Sequence, residues 1–130
     1  MKINRIHHVA IICSDYEKSK DFYVNKLGFT VLNETFRADR ASYKLDLVVG
    51  DIYQIELFSF ADPPKRPNYP EATGLRHLAF EVEDIEEAVK ELKLKDIVVE
   101  DIRIDETTCK KFTFFKDPDD LPLEIYEGRY

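Results

Sequence analysis

The chain repeats itself. The segment HVAIICSDY at His8–Tyr16 returns as HLAFEVEDI at His77–Ile85, and Ile55-Glu56-Leu57 returns as Leu123-Glu124-Ile125. His77 follows His8 by 69 residues, Asp84 follows Asp15 by 69, and Glu124 follows Glu56 by 68. A duplication at nearly constant offset means two copies of one supersecondary unit, so the fold of one half dictates the fold of the other. Each copy carries one His and one Glu in an apolar, strand-like run. Two imidazoles and two carboxylates delivered to one place make a site for a divalent cation of borderline-to-hard character.

The pattern of each half is the same. Residues 3–13 alternate apolar and polar, then turn fully apolar, which reads as a strand. Ser14-Asp15-Tyr16-Glu17 is a capping-box pattern. Tyr16, Ser19, Phe22, Tyr23 and Leu27 then recur at helical spacing until Gly28 stops the helix. Strands are expected at 30–37, 42–49 and 52–60. Four prolines in residues 61–73 (Pro63, Pro64, Pro67 and Pro70) mark a linker, because proline continues neither a ladder nor a helix interior. The second half offers a strand at 75–83, a helix opened by Asp84 with Ile85, Ala88, Val89 and Leu92 on one face, and strands near 97–104, 109–116 and 121–127. The predicted class is α+β: a single domain over 1–130, built from βαβββ modules at 1–60 and 74–130. One helix covers only one face of a four-stranded sheet, so two such modules are expected to associate and bury the other face or build a cavity on it.

Charge and composition narrow the function. A net charge of −7 argues against nucleic acid and against anionic membrane surfaces, which both demand a basic face. No apolar run approaches the roughly 20 residues that span a bilayer. The first residues lack the apolar stretch of a secretory signal. Two cysteines, Cys13 and Cys109, form no paired-Cys motif or dense framework. The expectation is a cytoplasmic protein acting on a small molecule, with both thiols reduced.

Strand alternation decides where the chemistry points. His8, Ala10 and Ile12 share one face, as do His77, Ala79 and Glu81; Gln54, Glu56 and Phe58 form a third set, and Pro122, Glu124 and Tyr126 a fourth. Glu56 and Glu124 are each flanked by aliphatic residues that face the packed side. A buried carboxylate without a partner is costly. A doubly charged cation meets that cost, and two neutral imidazoles complete the set without added charge. Four protein ligands leave two octahedral positions for water or for two substrate oxygens. A lone strand His is ordinarily structural, as is a lone Glu on an amphipathic strand; their joint recurrence favours a metal site. His7 is expected to face away from His8 as a packing or surface residue.

These residues resemble the vicinal oxygen chelate superfamily, with glyoxalase I its best-known member. The resemblance covers essentially the whole chain. It rests on His8, the Asp15–Gly28 helix with Phe22-Tyr23 and Leu27-Gly28-Phe29, Ile55-Glu56-Leu57, the HLAF of His77–Phe80, and Phe115, Asp117-Pro118-Asp119 and Leu123-Glu124. It implies paired βαβββ modules of the glyoxalase/bleomycin resistance/dihydroxybiphenyl dioxygenase fold, usually in a homodimer. It also implies Ni²⁺ or Zn²⁺, with Mn²⁺, Co²⁺ or Fe²⁺ as the other metals, on His8, Glu56, His77 and Glu124. In glyoxalase I such a site isomerises the hemithioacetal of glutathione and methylglyoxal through an enediolate. The catalytic base would be Glu124 first and Glu56 second. Glutathione-using relatives carry Arg four residues after the first His and Asn four after the first Glu, where this chain has Ile12 and Phe60. Their usual Gly after Pro-Asp is Asp120. The second half also resembles methylmalonyl-CoA epimerase, which offers Gln where this chain has Glu56. Non-catalytic antibiotic-binding modules and extradiol oxygenases are the other relatives implied.

Overall fold

In the computed structural model, residues 1–128 are described. The chain divides into two compact units, Met1–Pro64 and one beginning at Lys65. The first contains β1 (Val9–Cys13), α1 (Tyr16–Lys20), β2 (Thr30–Arg37), β3 (Ser42–Val49) and β4 (Ile52–Ser59). The second contains β5 (Leu78–Val82), α2 (Ile85–Leu94), β6 (Arg103–Ile104), β7 (Lys111–Lys116) and β8 (Pro122–Glu127). The two sheets have matching orders, β1-β4-β3-β2 and β5-β8-β7-β6. In each, the first and last strands of the module pair in parallel and the rest antiparallel. This is the duplicated α+β architecture that the repeat demands. Among the described residues no helix is long and apolar enough to cross a membrane.

The packed face of each sheet follows the strand period. In the first unit Ile11, Cys13, Leu45, Leu47, Ile55 and Leu57 are buried together with Tyr16, Phe22 and Tyr23 of the helix. In the second, Phe115, Leu123 and Ile125 are buried with Ile85, Val89 and Leu92. Each helix is capped by an aspartate: Asp15 accepts from the Lys18 amide at 3.2 Å and Asp84 from the Glu87 amide at 3.0 Å. The cap of α1 is therefore Asp15, not Ser14, one residue later than the capping-box pattern suggests. Beyond Lys20 the helix widens into a π-helical stretch over Asp21–Lys26, with the Leu27 amide reaching back five residues to Phe22. Gly28, at φ +79°, ends it in the left-handed conformation that glycine adopts without a Cβ penalty.

Three expected strands are much shorter than their sequence patterns, while β4, β7 and β8 lose only a residue or two at an end. β1 begins at Val9 rather than residue 3, and β5 spans Leu78–Val82 within the expected 75–83. β6 pairs at Arg103 and Ile104 alone; ahead of it the Glu100 amide donates to the Phe114 carbonyl at 3.0 Å, and the Thr113 hydroxyl donates to the carbonyls of Glu100 and Asp101. Asp117–Asp120 form a turn, the Asp120 amide donating to the Asp117 carbonyl at 3.0 Å. Asp117 accepts from the amides of Asp119 and Leu121, both at 2.9 Å, and Asp120 takes φ +65°, a left-handed conformation that Asp tolerates in turns.

A polar tie fixes α1 to β2. Glu34 accepts from Lys20 at 2.7 Å and from the Tyr16 hydroxyl at 2.5 Å. Lys20 first, and Tyr16 second, hold the Glu34 carboxyl below its ordinary value of 4.5. A lowered carboxylate stabilises the fold above the ordinary value and loses that contribution as the pH falls through the lowered one. Glu34→Gln should flatten this part of the acid limb in a stability-versus-pH curve; an unchanged limb contradicts the tie. Leu57, fully enclosed, should cost about 2–5 kcal/mol as Leu57→Ala in urea unfolding, whereas Ile12→Ala, at 54% exposure, should cost no more than about 0.5 kcal/mol.

Candidate metal centre

The register places a His and a Glu together in each unit. Ala10 lies opposite Glu56 across the parallel β1–β4 pair, and Ala79 lies opposite Glu124 across β5–β8. His8 and His77 stand just before β1 and β5, and their rings turn toward those glutamates. The small alanine leaves space beside each imidazole. His8 Nε2 stands 3.3 Å from Glu56 Oε2, and His77 Nε2 stands 2.9 Å from Glu124 Oε2. Two ligands about 2.1 Å from one ion, at adjacent corners of an octahedron, are about 3.0 Å apart. Both pairs match that separation, and nitrogen with carboxylate oxygen is the donor set such metals take. Among the described residues no three His, Cys, Asp or Glu side chains form a metal-sized cluster; each unit holds one His–Glu pair of its own.

The surroundings of the two carboxylates differ. Glu56 is 8% exposed and lies opposite Asp46 on β3. Like charges placed directly opposite repel. Lys44 offsets this, 2.9 Å from Asp46 Oδ1 and 3.8 Å from Glu56 Oε1. The Tyr53 hydroxyl donates to Glu56 Oε2. Burial first, and that hydrogen bond second, push the Tyr53 phenol far above its ordinary value, so it stays a donor at any physiological pH. Its ring also stacks on His8, centroids 6.1 Å apart.

Glu124 has other neighbours. It lies opposite Phe114 on β7, whose ring meets His77 edge-on at 5.0 Å. Phe112 stacks on Tyr126 at 6.3 Å along the same face. Among the described residues, His77 is the one ion-pair partner of the Glu124 carboxylate. One pair is thus braced by a cation and a phenol, and the other stands beside an aromatic wall.

Two participants escape the strand-alternation pattern. Strict period two puts Gln54 on the face of Glu56. A bulge shifts the register between Leu47 and Val48, pairing Val48 with Tyr53 and skipping Gln54. Tyr53 is thereby turned onto the site face. His7, expected to face away, holds its Nδ1 2.9 Å from His8 Nδ1 and sets its ring edge-on to Tyr53. One imidazole donates to the other there, which leaves His8 Nε2 to face the carboxylate. The neighbouring HH pair and the YQIE segment were the visible signals, but neither betrays a bulge.

The Tyr53 brace predicts a stability effect. Tyr53→Phe strips a donor from an enclosed carboxylate and should destabilise the protein by about 1–3 kcal/mol in urea unfolding at neutral pH. A loss below about 0.5 kcal/mol would show that Glu56 does not depend on the phenol.

Comparison with known proteins agrees with the fold. The model of the Glyoxalase/Bleomycin resistance protein/Dioxygenase superfamily matches residues 5–125. YwkD of Bacillus subtilis (strain 168) is 63% identical over 127 residues, covering 98% of this chain and 99% of that protein. YaeR of Escherichia coli (strain K12) is 54% identical over 125 residues, covering 96% and 97%. The crystal structure of a glyoxalase family protein from Enterococcus faecalis superposes with a TM-score of 0.89 at 52% identity, covering 98% and 100%. Glyoxylase I 4 of Arabidopsis thaliana is a more distant relative, 25% identical over 132 residues, covering 96% and 71%. At 16% identity, the fold is also shared (TM-score 0.75, 98% and 95% covered) by a variant of the fosfomycin resistance protein FosX from Listeria monocytogenes, complexed with Mn(II) and 1S,2S-dihydroxypropylphosphonic acid. With matching sheets, a matching duplication and a family model spanning nearly its whole length, this chain belongs to the Glyoxalase/Bleomycin resistance protein/Dioxygenase superfamily.

Proposed function

We propose that the protein is a metal-dependent isomerase of the glyoxalase I type, acting on the hemithioacetal of an α-oxoaldehyde and a thiol. The observation that carries this is the His–Glu pair at ligand spacing in both modules, 3.3 Å and 2.9 Å. His8, Glu56, His77 and Glu124 hold one divalent cation, supplied by one chain or by two copies of it in a homodimer. Ni²⁺ or Zn²⁺ suits the two-nitrogen, two-oxygen set best. When bound, the cation supplies Lewis-acid polarisation of two neighbouring substrate oxygens. The two modules act as one catalytic domain. The family match, the distant glyoxylase I relative and the Mn(II) complex of FosX, a fold neighbour, support this assignment.

The chain's own residues divide the remaining work. Glu56, braced by Tyr53 and Lys44, is a fixed ligand. Glu124 carries no such brace, and its Oε2 faces His77. Its other oxygen, Oε1, is the base. It removes the proton from C1 of the hemithioacetal; the electron pair forms the C1–C2 double bond and the carbonyl pair of C2 moves onto its oxygen, giving an enediolate. It then returns the proton to C2 while the hydroxyl proton on the C1 oxygen passes to the C2 oxygen, so that C1 becomes the thioester carbonyl and C2 carries the hydroxyl. Every atom of the substrate is kept, and no oxidant is consumed. Phe112, Phe114 and Tyr126 line the Glu124 face with rings. Water is thereby kept from the exposed carbanion.

The test is an assay of methylglyoxal with glutathione, bacillithiol or coenzyme A after Ni²⁺ or Zn²⁺ has been restored, following thioester absorbance. Turnover is expected with at least one thiol; its absence with all three refutes the activity. Glu124→Gln should lower kcat by a factor on the order of 10²–10⁴. Glu56→Gln should instead weaken metal retention first. Equal losses of kcat in both variants, with metal kept, contradict the division of roles.

A further inference from the structure

Arg37 ends β2 on the same sheet face as Glu56. The register requires it: Arg37 pairs with Ser42, Lys44 with Phe58 and Asp46 with Glu56, and residues two apart share a face. The guanidinium carbon lies 4.8 Å from the centre of the Phe58 ring and 5.8 Å from that of Phe60. Nη2 donates to the Ser42 hydroxyl at 3.0 Å, and the enclosed Nε has no hydrogen-bond partner. Among the described residues no carboxylate stands within ion-pair distance of this guanidinium, although acidic residues outnumber basic ones 26 to 19. Lys44, its neighbour on that face, is by contrast spent on Asp46 and Glu56.

A half-buried cation against two rings has lost part of its hydration, which strengthens its pull on any anion that reaches it. Its fork is also held in place before the anion arrives, which lowers the ordering cost of binding. We propose that Arg37, anchored by Ser42, is an anion-binding subsite that takes a carboxylate or phosphate group of the substrate. Phe58 follows Glu56 by two residues, about 7 Å along the strand. The molecule taken therefore has neighbouring oxygens at one end and an anionic group roughly 7 Å or more from them. The direction of the substrate rests on the metal reading above; the subsite itself stands on its own contacts.

The experiment is an NMR titration of the full ¹⁵N-labelled chain at low ionic strength. Inorganic phosphate is added in one arm, acetate in a second and chloride at matched ionic strength in a third. The Arg37 Nε–H resonance should shift saturably with phosphate, acetate or both, and not with chloride; which arm saturates at lower concentration tells phosphate from carboxylate. In Arg37→Gln, shifts of the Ser42 and Phe58 amides should report binding about tenfold weaker or more. An Arg37 resonance unmoved by both oxyanions overturns the subsite even if the variant fails to fold. Amide shifts in Arg37→Gln that saturate as in the parent also overturn it. Zn²⁺ titration of the parent chain separates the two claims: anion binding without metal binding sinks the metal reading and leaves the subsite standing.

Discussion

A carboxylate enclosed in a sheet must be given a partner, and that requirement organises this molecule twice. Glu56 and Glu124 stand on the last strand of their modules with aliphatic neighbours committed to the packed face. Strand alternation leaves them no freedom to turn away. The parallel pairing of first and last strands brings an imidazole to each, and alanine at the intervening position keeps the space open. The duplication is therefore more than a folding device. It supplies the same two donors, at nearly the same separation, from two copies of one unit.

The copies have since diverged, and the divergence is chemically coherent. On the first sheet, Glu56 is held by a phenol and a lysine, with Asp46 drawing the lysine in. On the second, the positions opposite and beside Glu124 are phenylalanines and a tyrosine. A carboxylate with charge-assisted contacts on several sides is held in one place. A carboxylate against rings has fewer such contacts to fix it. Under the function proposed above, this asymmetry is what assigns the ligand role to Glu56 and the base role to Glu124.

Much of this was legible in the chain because it rests on period and repetition. The β2, β3, β7 and β8 strands, both helices, the duplicated topology and the His–Glu pairing within each half follow from patterns that side-chain alternation enforces. What escaped was whatever depends on a broken period. The bulge that skips Gln54 turns Tyr53 onto the site, and nothing in the sequence marks where a ladder will slip. The π-helical widening after Lys20 keeps helical spacing in the sequence while changing the hydrogen bonds. Residues 3–8 have a strand-like alternation, yet among the described residues the ladder of β1 starts only at Val9. His7 was read by alternation from a strand that had not yet begun.

The account turns on whether two such pairs share one ion. Isothermal titration of Zn²⁺ or Ni²⁺ into the chelator-treated protein, beside His8→Ala and His77→Ala, tests this most directly. One ion per set of four ligands is predicted, with both alanine variants weakened by a hundredfold or so even though each removes a residue from only one module. No saturable binding by the parent, or a variant that binds as the parent does, would contradict a site shared between the two halves.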